Sequence, residues 1–326
     1  MSIKKIFSAV FLYISAIIGA GFAAGRELNV YFFDYGFISG IIGIFAASLL
    51  FAVAAYKVLL LGSIFKIKSC KAFTAYLFGG KTGAFFNTAG IMFFAVLFAS
   101  MTAAFGEICR GIGINMLWAK AIFCIICFIA LSFDIKGLSV ISTLLCPLML
   151  AGCCIVGLRR LFTGNIPLDM PRIIVLPSSV LYVSYNILTG AAVLIRGEKY
   201  NKKEAFLTAV PIFFAFFIAG IFAGTAAFGS KEALPIYAAV KDSRVLLCIY
   251  TAVLLSAIST TALSSAYCLT PNLDKARICT VGFVLSLIGF ANIVEKFYFV
   301  FGIIGSGVLF ALLFCPIYEK KKRLSH

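Results

Sequence analysis

The first long apolar segment of the chain is interrupted by Ile18-Gly19-Ala20-Gly21-Phe22-Ala23-Ala24-Gly25, and Arg26 and Glu27 follow directly. Three glycines within about two helical turns permit an unwound backbone whose amides and carbonyls face a cavity. Close packing of small residues against a neighbouring helix also explains glycines in an apolar helix. The two charged residues at membrane depth favour a functional break, because ionisable residues inside a membrane are candidates for function.

The rest of the chain has the composition of an integral membrane protein. Of its 326 residues, 63% are hydrophobic and 12% are charged, whereas soluble domains carry about 25% charged residues. At roughly 20 residues per span, apolar segments fall at about 5–33, 37–61, 82–110, 115–132, 136–159, 172–195, 203–228, 244–268, 275–293 and 295–318. These spans are predicted to be helices, because every backbone polar group must be satisfied within lipid. The alternating pattern of a membrane β-barrel is absent from the sequence.

The net charge of +16 predicts orientation in the membrane rather than nucleic-acid binding. The lysines and arginines lie between apolar segments, and no basic stripe interleaves with aromatic residues. Most of them fall in loops on the side of the N-terminus, which places both termini in the cytoplasm of a multi-pass inner (plasma) membrane protein. The apolar run after Met1 to Lys5 continues beyond the length of a signal peptide, so it is interpreted as a retained first helix.

Cysteine and histidine usage gives no indication of an enzyme. The 11 cysteines, including Cys124 and Cys127, fall largely in apolar segments, where cysteine is typically a small apolar filler. The single histidine is His326 at the end of the sequence. We therefore expect no catalytic residues, no histidine-based metal centre and no cofactor other than a coupling ion.

A second polar interruption lies five spans after the first. It reads Tyr182-Val183-Ser184-Tyr185-Asn186-Ile187-Leu188-Thr189-Gly190. Paired discontinuous helices at equivalent places in two halves of a chain point to a transporter binding site. A half-helix N-terminus facing that site would stabilise an anionic group such as a carboxylate. Coincidence between two independent interruptions is the alternative explanation.

A third feature is a run of hydroxyl residues in the eighth span. Ser256-Ala257-Ile258-Ser259-Thr260-Thr261-Ala262-Leu263-Ser264-Ser265 can donate hydrogen bonds back to its own helix, which is the simple explanation. The functional hypothesis is a sodium site, in which Ser259, Thr260 and Thr261 join carbonyls freed by the first-helix break.

Two acids lie near helix interiors, and each has alternative roles. Glu27 could bind a substrate amine, carry a coupling proton, or pair with Arg26 or Arg110. Glu107 lies three residues before Arg110, so an i,i+3 ion pair is its simplest explanation. We favour a functional role for Glu27.

These motifs resemble a known superfamily. Ile18-Gly19-Ala20-Gly21-Phe22 resembles the broken first helix of the amino acid–polyamine–organocation superfamily, in which I-G-x-G-[IF] is characteristic. The longer string through Glu27 resembles YkvI-type membrane proteins, which usually read G-A-G-F-A-S-G-Q-E, so Ala24 and Arg26 depart from that pattern. The resemblance implies an all-α LeuT-type fold of about ten transmembrane helices. It implies one membrane domain of two inverted five-helix repeats, 1–165 and 166–326, with helices 1 and 6 discontinuous.

The resemblance also implies a set of site residues. A substrate carboxylate would meet the backbone around Gly19, Ala20, Gly21, Phe22 and Ala23, and the pocket would be completed by Ser184, Tyr185 and Asn186. Sodium-coupled relatives carry two hydroxyls on the eighth helix, so the Na⁺ candidates are Gly19, Phe22, Ser259, Thr260 and Thr261. Proton-coupled relatives often carry a lysine inside the fifth helix, which is absent here. Arg26 and Glu107 are gate candidates, and Arg26 could neutralise Glu27.

Together these features predict a secondary active transporter of a small, amino-acid-like organic solute. It would be coupled to Na⁺ and work by alternating access around a midplane site. Its partners would be the solute and the lipid bilayer, without nucleic acid. A proton-coupled or uncoupled exchanger of the same fold is the alternative, and a channel is an alternative of a different class. A channel would need a continuous polar lining, which two localised interruptions do not provide.

Overall fold

The computed structural model describes residues 3–132, 136–163, 166–167, 169–195 and 199–316. In this part of the chain the regular structure is helical, without strands. The helices are α1 (Ile3–Ile17), α2 (Ala20–Ala24), α3 (Arg26–Tyr31), α4 (Phe37–Phe65), α5 (Cys70–Phe78), α6 (Gly80–Gly111), α7 (Met116–Ala130), α8 (Lys136–Thr163), α9 (Val175–Leu194), α10 (Lys202–Ala227), α11 (Pro235–Ala239), α12 (Arg244–Leu269), α13 (Lys275–Ser286), α14 (Phe290–Asn292) and α15 (Tyr298–Phe314). A short 3-10 helix covers Phe33–Tyr35, and a π-helix covers Ile293–Phe297.

Several of these helices have the length and composition of membrane spans. Among the described residues, the five segments that are long and apolar enough are Phe37–Phe65, Gly80–Gly111, Lys202–Ala227, Arg244–Leu269 and Phe290–Phe314. Their outward faces carry large apolar side chains, such as Phe45 and Phe214, which are 49% and 54% exposed. A surface of this kind is stable against lipid and not against water. The prediction of an all-helical, multi-pass membrane protein is therefore confirmed.

The first span is divided into three helices by glycines. α1 ends at Ile17, and Gly19 has an extended backbone (φ −83°, ψ −173°) before α2 begins at Ala20. Gly25 has φ +84° in the left-handed region, where it ends α2 and precedes α3. Residues with a Cβ rarely adopt this conformation. In this article the segment from Ile18 to Gly25 is called the first-helix break.

α9, the sixth predicted span, has no corresponding break. It runs without interruption from Val175 to Leu194, so the prediction of a discontinuous helix 6 is wrong for this structure. Within this continuous helix the Asn186 side chain donates to the Tyr182 carbonyl, 3.1 Å away, so its amide is used locally. Gly190 serves packing, since a Cβ at this position would overlap the ring of Tyr13.

The helix α9 packs mainly against α1, α4 and α15. α10 packs against α4, α8 and α1, while α12 packs against α6 and α8. The middle of α9 is buried on several sides, including Tyr182, Ser184, Tyr185 and Asn186. This arrangement places the side chains of α9 beside the first-helix break.

Two lysines connect distant helices by capping helix C-termini. Lys57 of α4 donates to the carbonyls of Leu312 (3.1 Å) and Cys315 (3.0 Å) at the end of α15. Lys120 of α7, which is 2% exposed, donates to the Ser286 carbonyl, 2.9 Å away at the end of α13. The last carbonyls of a helix lack partners within it and carry partial negative charge, so a lysine stabilises them.

Candidate functional site

Glu27 is the buried acid at the centre of the candidate site. It lies in the first turn of α3 and is 4% exposed. Its Oε2 accepts a hydrogen bond from the Tyr185 hydroxyl of α9, 2.9 Å away. Its Oε1 lies directly over Gly21, so a Cβ added at Gly21 would overlap this oxygen. The structure thus brings together three of the predicted substrate residues, Gly21, Glu27 and Tyr185.

Tyrosine side chains from three helices surround this carboxylate. They are Tyr31 of α3, Tyr182 and Tyr185 of α9, and Tyr298 of α15, and together we call them the tyrosine cluster. The ring of Tyr185 lies 5.5 Å from that of Tyr31, 5.3 Å from that of Tyr182 and 5.0 Å from that of Tyr298. Phe93 of α6 packs 5.7 Å from Tyr185. Aromatic faces of this kind attract a desolvated cation.

The tyrosine cluster contains polar groups that have no protein partner. Among the described residues, the buried hydroxyls of Tyr31 and Ser184 form no hydrogen bond. A buried polar atom without a partner costs free energy, and native structures retain few of them. The Tyr31 hydroxyl belongs to the cluster around Glu27, and an unpartnered buried hydroxyl there is typical of a site that binds a polar ligand.

Arg26 does not neutralise Glu27 in the structure. Its guanidinium forms an ion pair with Glu295 of the π-helix, and its Nη1 lies 3.5 Å from the Lys231 carbonyl. In the described parts of the chain, Glu27 forms no ion pair. The pairing of Glu27 with Arg26, one alternative from the sequence, is therefore wrong, and the site keeps one buried carboxylate.

The second gate candidate, Glu107, lies in a local ion pair. Its Oε2 is 2.7 Å from the Arg110 guanidinium, three residues further along α6, and the Arg110 side chain is 64% exposed. This is the i,i+3 pair that the sequence spacing suggests. Glu107 does not contact the Arg26–Glu295 pair, so of the two gate candidates only Arg26 connects distant segments.

The hydroxyl run of α12 reaches the first-helix break through Thr261. A Cβ placed at Gly19 would lie 3.7 Å from the Thr261 Oγ1, and neither Ser259 nor Thr260 comes within 4 Å of that point. The Gly19 and Phe22 carbonyls accept backbone hydrogen bonds from Ala23 and Gly25. Each carbonyl oxygen retains a second lone pair, which could contact an ion beside Thr261.

Thr260 has the local role that its position in a helix suggests. Its Oγ1 donates to the carbonyls of Ser256 (2.9 Å) and Ala257 (3.1 Å) on its own helix. Its side chain lines a small cleft with Ser15 and Ile18. The structure thus places Thr261 beside Gly19, whereas Thr260 lines the cleft next to Ile18 and keeps its hydroxyl bonded within α12.

The remaining predicted substrate residues have mainly packing contacts. Ala20 is fully buried, Phe22 packs against Phe216 with ring centroids 5.5 Å apart, and the Ala23 carbonyl accepts a hydrogen bond from the Tyr250 hydroxyl. Ser184 lies where α9 touches α15, because a Cβ at Gly305 would overlap the Ser184 carbonyl. Asn186 bonds within α9 and does not contact Glu27.

Sequence reasoning missed four residues of the site, namely Tyr31, Tyr182, Tyr298 and Glu295. Tyr31 follows Glu27 by four positions in one helix, so its place on the same face could have been recognised from spacing. Tyr298 and Glu295 are far away in sequence, and no local pattern associates them with the first span. Their contribution depends on the packing of α15 and the π-helix against α3 and α9.

Comparisons with known proteins agree with this fold. No family model matches the chain. YyaD of Bacillus subtilis (strain 168) is 24% identical over 341 residues, covering 95% of this chain and 97% of YyaD. The membrane protein YkvI of the same organism is 31% identical over 87 residues, covering 27% of this chain and 24% of YkvI. The second match confirms the resemblance to YkvI-type proteins for that part of the chain.

Two solved structures share the architecture. The inward-facing conformation of Mhp1 matches with a TM-score of 0.68 and 14% identity, covering 94% of this chain and 75% of Mhp1. MhsT in complex with L-phenylalanine matches with a TM-score of 0.58 and 14% identity, covering 93% of this chain and 85% of MhsT. Both are LeuT-fold transporters and not enzymes. At this level of identity the likeness establishes the fold.

Proposed function

We propose that the protein is a secondary active transporter of a small organic solute that carries an amine, as amino-acid-like solutes do. Glu27 carries this proposal, because it is a buried carboxylate without a basic partner in the described chain and it lies beside a broken helix. A buried charge is costly unless it is compensated. A cationic amine would compensate it and would lie among the rings of the tyrosine cluster.

Alternating access is the mechanism that this architecture favours. The proposed transporter has about ten helices in two inverted repeats, residues 1–165 and 166–326, in the inner membrane with both termini in the cytoplasm. The first, second, sixth and seventh spans would rock against the rest around Glu27. The Arg26–Glu295 ion pair connects α3 with the π-helix, so it would close the pathway on the side opposite the N-terminus. Opening that side would require this pair to separate.

Sodium is the coupling ion that we propose. Its oxygen ligands would be the carbonyls of Gly19 and Phe22 with the Thr261 hydroxyl, the member of the predicted trio that lies beside Gly19. Unwound carbonyls of a broken helix are a common source of ligands for a coupling ion. Coupling to protons through Glu27, or uncoupled exchange, is the competing mechanism.

Transport is tested with purified protein in proteoliposomes. A thermal-shift screen of amines and amino acids, with and without Na⁺, identifies candidate solutes. Uptake of the strongest candidate is then measured under an inward Na⁺ gradient, a proton gradient and no gradient. We expect saturable uptake and counter-transport driven by Na⁺. Non-saturable flux would indicate a channel, and uptake driven only by protons would exclude the sodium site.

The ion site is tested by two neighbouring substitutions. Thr261→Ala removes the hydroxyl beside Gly19, and we expect the Na⁺ concentration for half-maximal uptake to rise about tenfold, since a lost ligand to a charged group is costly. Thr260→Ala is the matched control, because its hydroxyl bonds within α12. Unchanged Na⁺ dependence in Thr261→Ala, or a larger effect in Thr260→Ala, would contradict the proposed site.

A further inference from the structure

We infer that the solute of this transporter is a singly charged amine without a carboxylate, because Glu27 already places a carboxylate against the first-helix break. The inference rests on the proposed function and narrows its substrate class. Its starting point is the position of Glu27 Oε1, which lies where a side chain at Gly21 would otherwise be. The sequence predicts that a solute carboxylate meets the backbone here, yet the protein's own carboxylate fills the space.

The hydrogen bonds of the site hold Glu27 in this position. Tyr185 donates to Oε2 from the neighbouring α9, while Gly21 leaves the space that Oε1 requires. Glu27 itself is 4% exposed. The carboxylate is therefore held by a hydrogen bond at Oε2, and its Oε1 occupies the space beside Gly21 that a second anion would need.

Charge balance excludes a zwitterion from the same place. The one basic side chain adjacent in sequence, Arg26, is engaged with Glu295. An amino acid would bring a second carboxylate beside Glu27, and two like charges in a buried site repel each other strongly. A monoamine brings one positive charge, which compensates the charge of Glu27 on this side of the break.

The proposed sodium ion does not change this balance at Glu27. Gly19 faces Thr261, whereas Gly21 faces Glu27. Because the two glycines have different neighbours, the ion and the amine would lie on different sides of the first-helix break. The tyrosine cluster surrounds the amine side, where aromatic rings favour a cation and the hydroxyls, though donors, carry no positive charge to compensate a second anion.

Matched pairs of ligands test the inference directly. Each pair is an L-amino acid and the amine that lacks only its carboxylate: phenylalanine with phenethylamine, tyrosine with tyramine, and leucine with 3-methylbutylamine. Binding to detergent-purified protein is measured by calorimetry, and uptake is measured in proteoliposomes with Na⁺. We expect the amine of the best pair to bind about tenfold more tightly than its amino acid, or better, as a compensated buried charge requires.

Substitutions at Glu27 and at a distant acid provide the controls. Glu27→Gln should weaken amine binding about tenfold or more and reduce or reverse the preference over the amino acid, because a charge-assisted hydrogen bond is lost. Glu27→Asp keeps the charge and should keep the preference. Glu107→Gln removes an acid that pairs locally on α6, so both ligands should bind as they do to the wild type.

The outcomes separate this inference from the proposed function. Sodium-driven uptake of an amino acid, with weaker binding of its matched amine, would overturn the inference about the solute. The proposed transport function would still stand. Absence of binding and uptake for both members of every pair would overturn the amine transporter itself. If a variant fails to fold, the wild-type measurements still decide the inference. The ligand pairs alone show whether the amine or the amino acid binds more tightly.

Discussion

The first span and α9 carry similar interruptions in sequence but differ in backbone. Both combine polar residues with glycine in an apolar segment. In the first span, Gly19 is extended and Gly25 is left-handed, so the helix is divided. In α9 the helix is continuous, and Gly190 provides space for Tyr13. Glycine thus serves conformation in one region and close packing in the other.

The difference explains how the candidate site is assembled. The divided span supplies Gly21 and Glu27, the backbone gap and the carboxylate that fills it. The continuous helix supplies Tyr182 and Tyr185, whose rings are held by regular helical geometry. A charged group fixed by packing and hydrogen bonds is pre-organised for a ligand. The site therefore depends on one broken and one intact helix, and each feature can be altered separately.

The largest expected effect comes from filling the gap in the broken helix. In Gly21→Ala, the added Cβ would overlap Glu27 Oε1, so the carboxylate must leave its position. We expect amine binding to weaken about tenfold or more, because the charge-assisted contact is lost, while the helix content by circular dichroism stays unchanged. Calorimetry with the strongest amine measures the effect.

A matched control uses a glycine where a methyl group fits. Gly152 lies in α8, and its added Cβ would be 3.7 Å from the nearest Val253 atoms, an ordinary contact. Gly152→Ala should therefore bind amine as the wild type does. Normal amine binding by Gly21→Ala would mean that binding does not depend on the position of the Glu27 carboxylate over Gly21.

Much of the fold follows from the sequence, since apolar length predicts spans and three glycines before Arg26 and Glu27 predict an interruption. The direction of these two side chains does not follow. Neighbouring positions are rotated by about 100° in a helix, so the sequence shows that they diverge but not which one faces the site. The directions depend on two partners that are distant in sequence. Arg26 pairs with Glu295, whereas Glu27 accepts a hydrogen bond from Tyr185.

The error at α9 has a similar physical origin. The run from Ser184 to Gly190 contains residues that can either expose a backbone or pack against a neighbour. Tyr13 decides between these outcomes for Gly190, because its ring occupies the space beside the glycine. Lys57 and Lys120 likewise gain their partners only in the fold, where they cap α15 and α13. Tertiary contacts of this kind leave no local pattern in the sequence.

An intermediate effect is expected from filling the space in the intact helix. Gly190→Ala would overlap the Tyr13 ring and should lower the free energy of unfolding by about 1–3 kcal/mol, the usual cost of overpacking. The amine affinity of the folded protein should stay unchanged, because Gly190 does not contact Glu27. Thermal unfolding in detergent and calorimetry measure the two quantities.

A double substitution shows whether Tyr13 causes that cost. In a Tyr13→Leu background the ring is gone, so adding Gly190→Ala should destabilise the protein less than it does in the wild type. An equal cost in both backgrounds would point to a conformational role for Gly190. The glycines of the first span and of α9 would then differ less in their roles than the structure indicates.

The smallest expected effect is the most direct test of the continuous α9. Asn186 is 6% exposed and donates to the Tyr182 carbonyl within its own helix, 3.1 Å away. Removing this bond in Asn186→Ala should cost about 1 kcal/mol of unfolding free energy or less, because the carbonyl keeps its backbone partner. Amine affinity should not change. If α9 were divided like the first span, the Asn186 amide would face the pocket and its loss would weaken binding several-fold. Calorimetry on this single variant therefore distinguishes a site with one broken helix from a site with two.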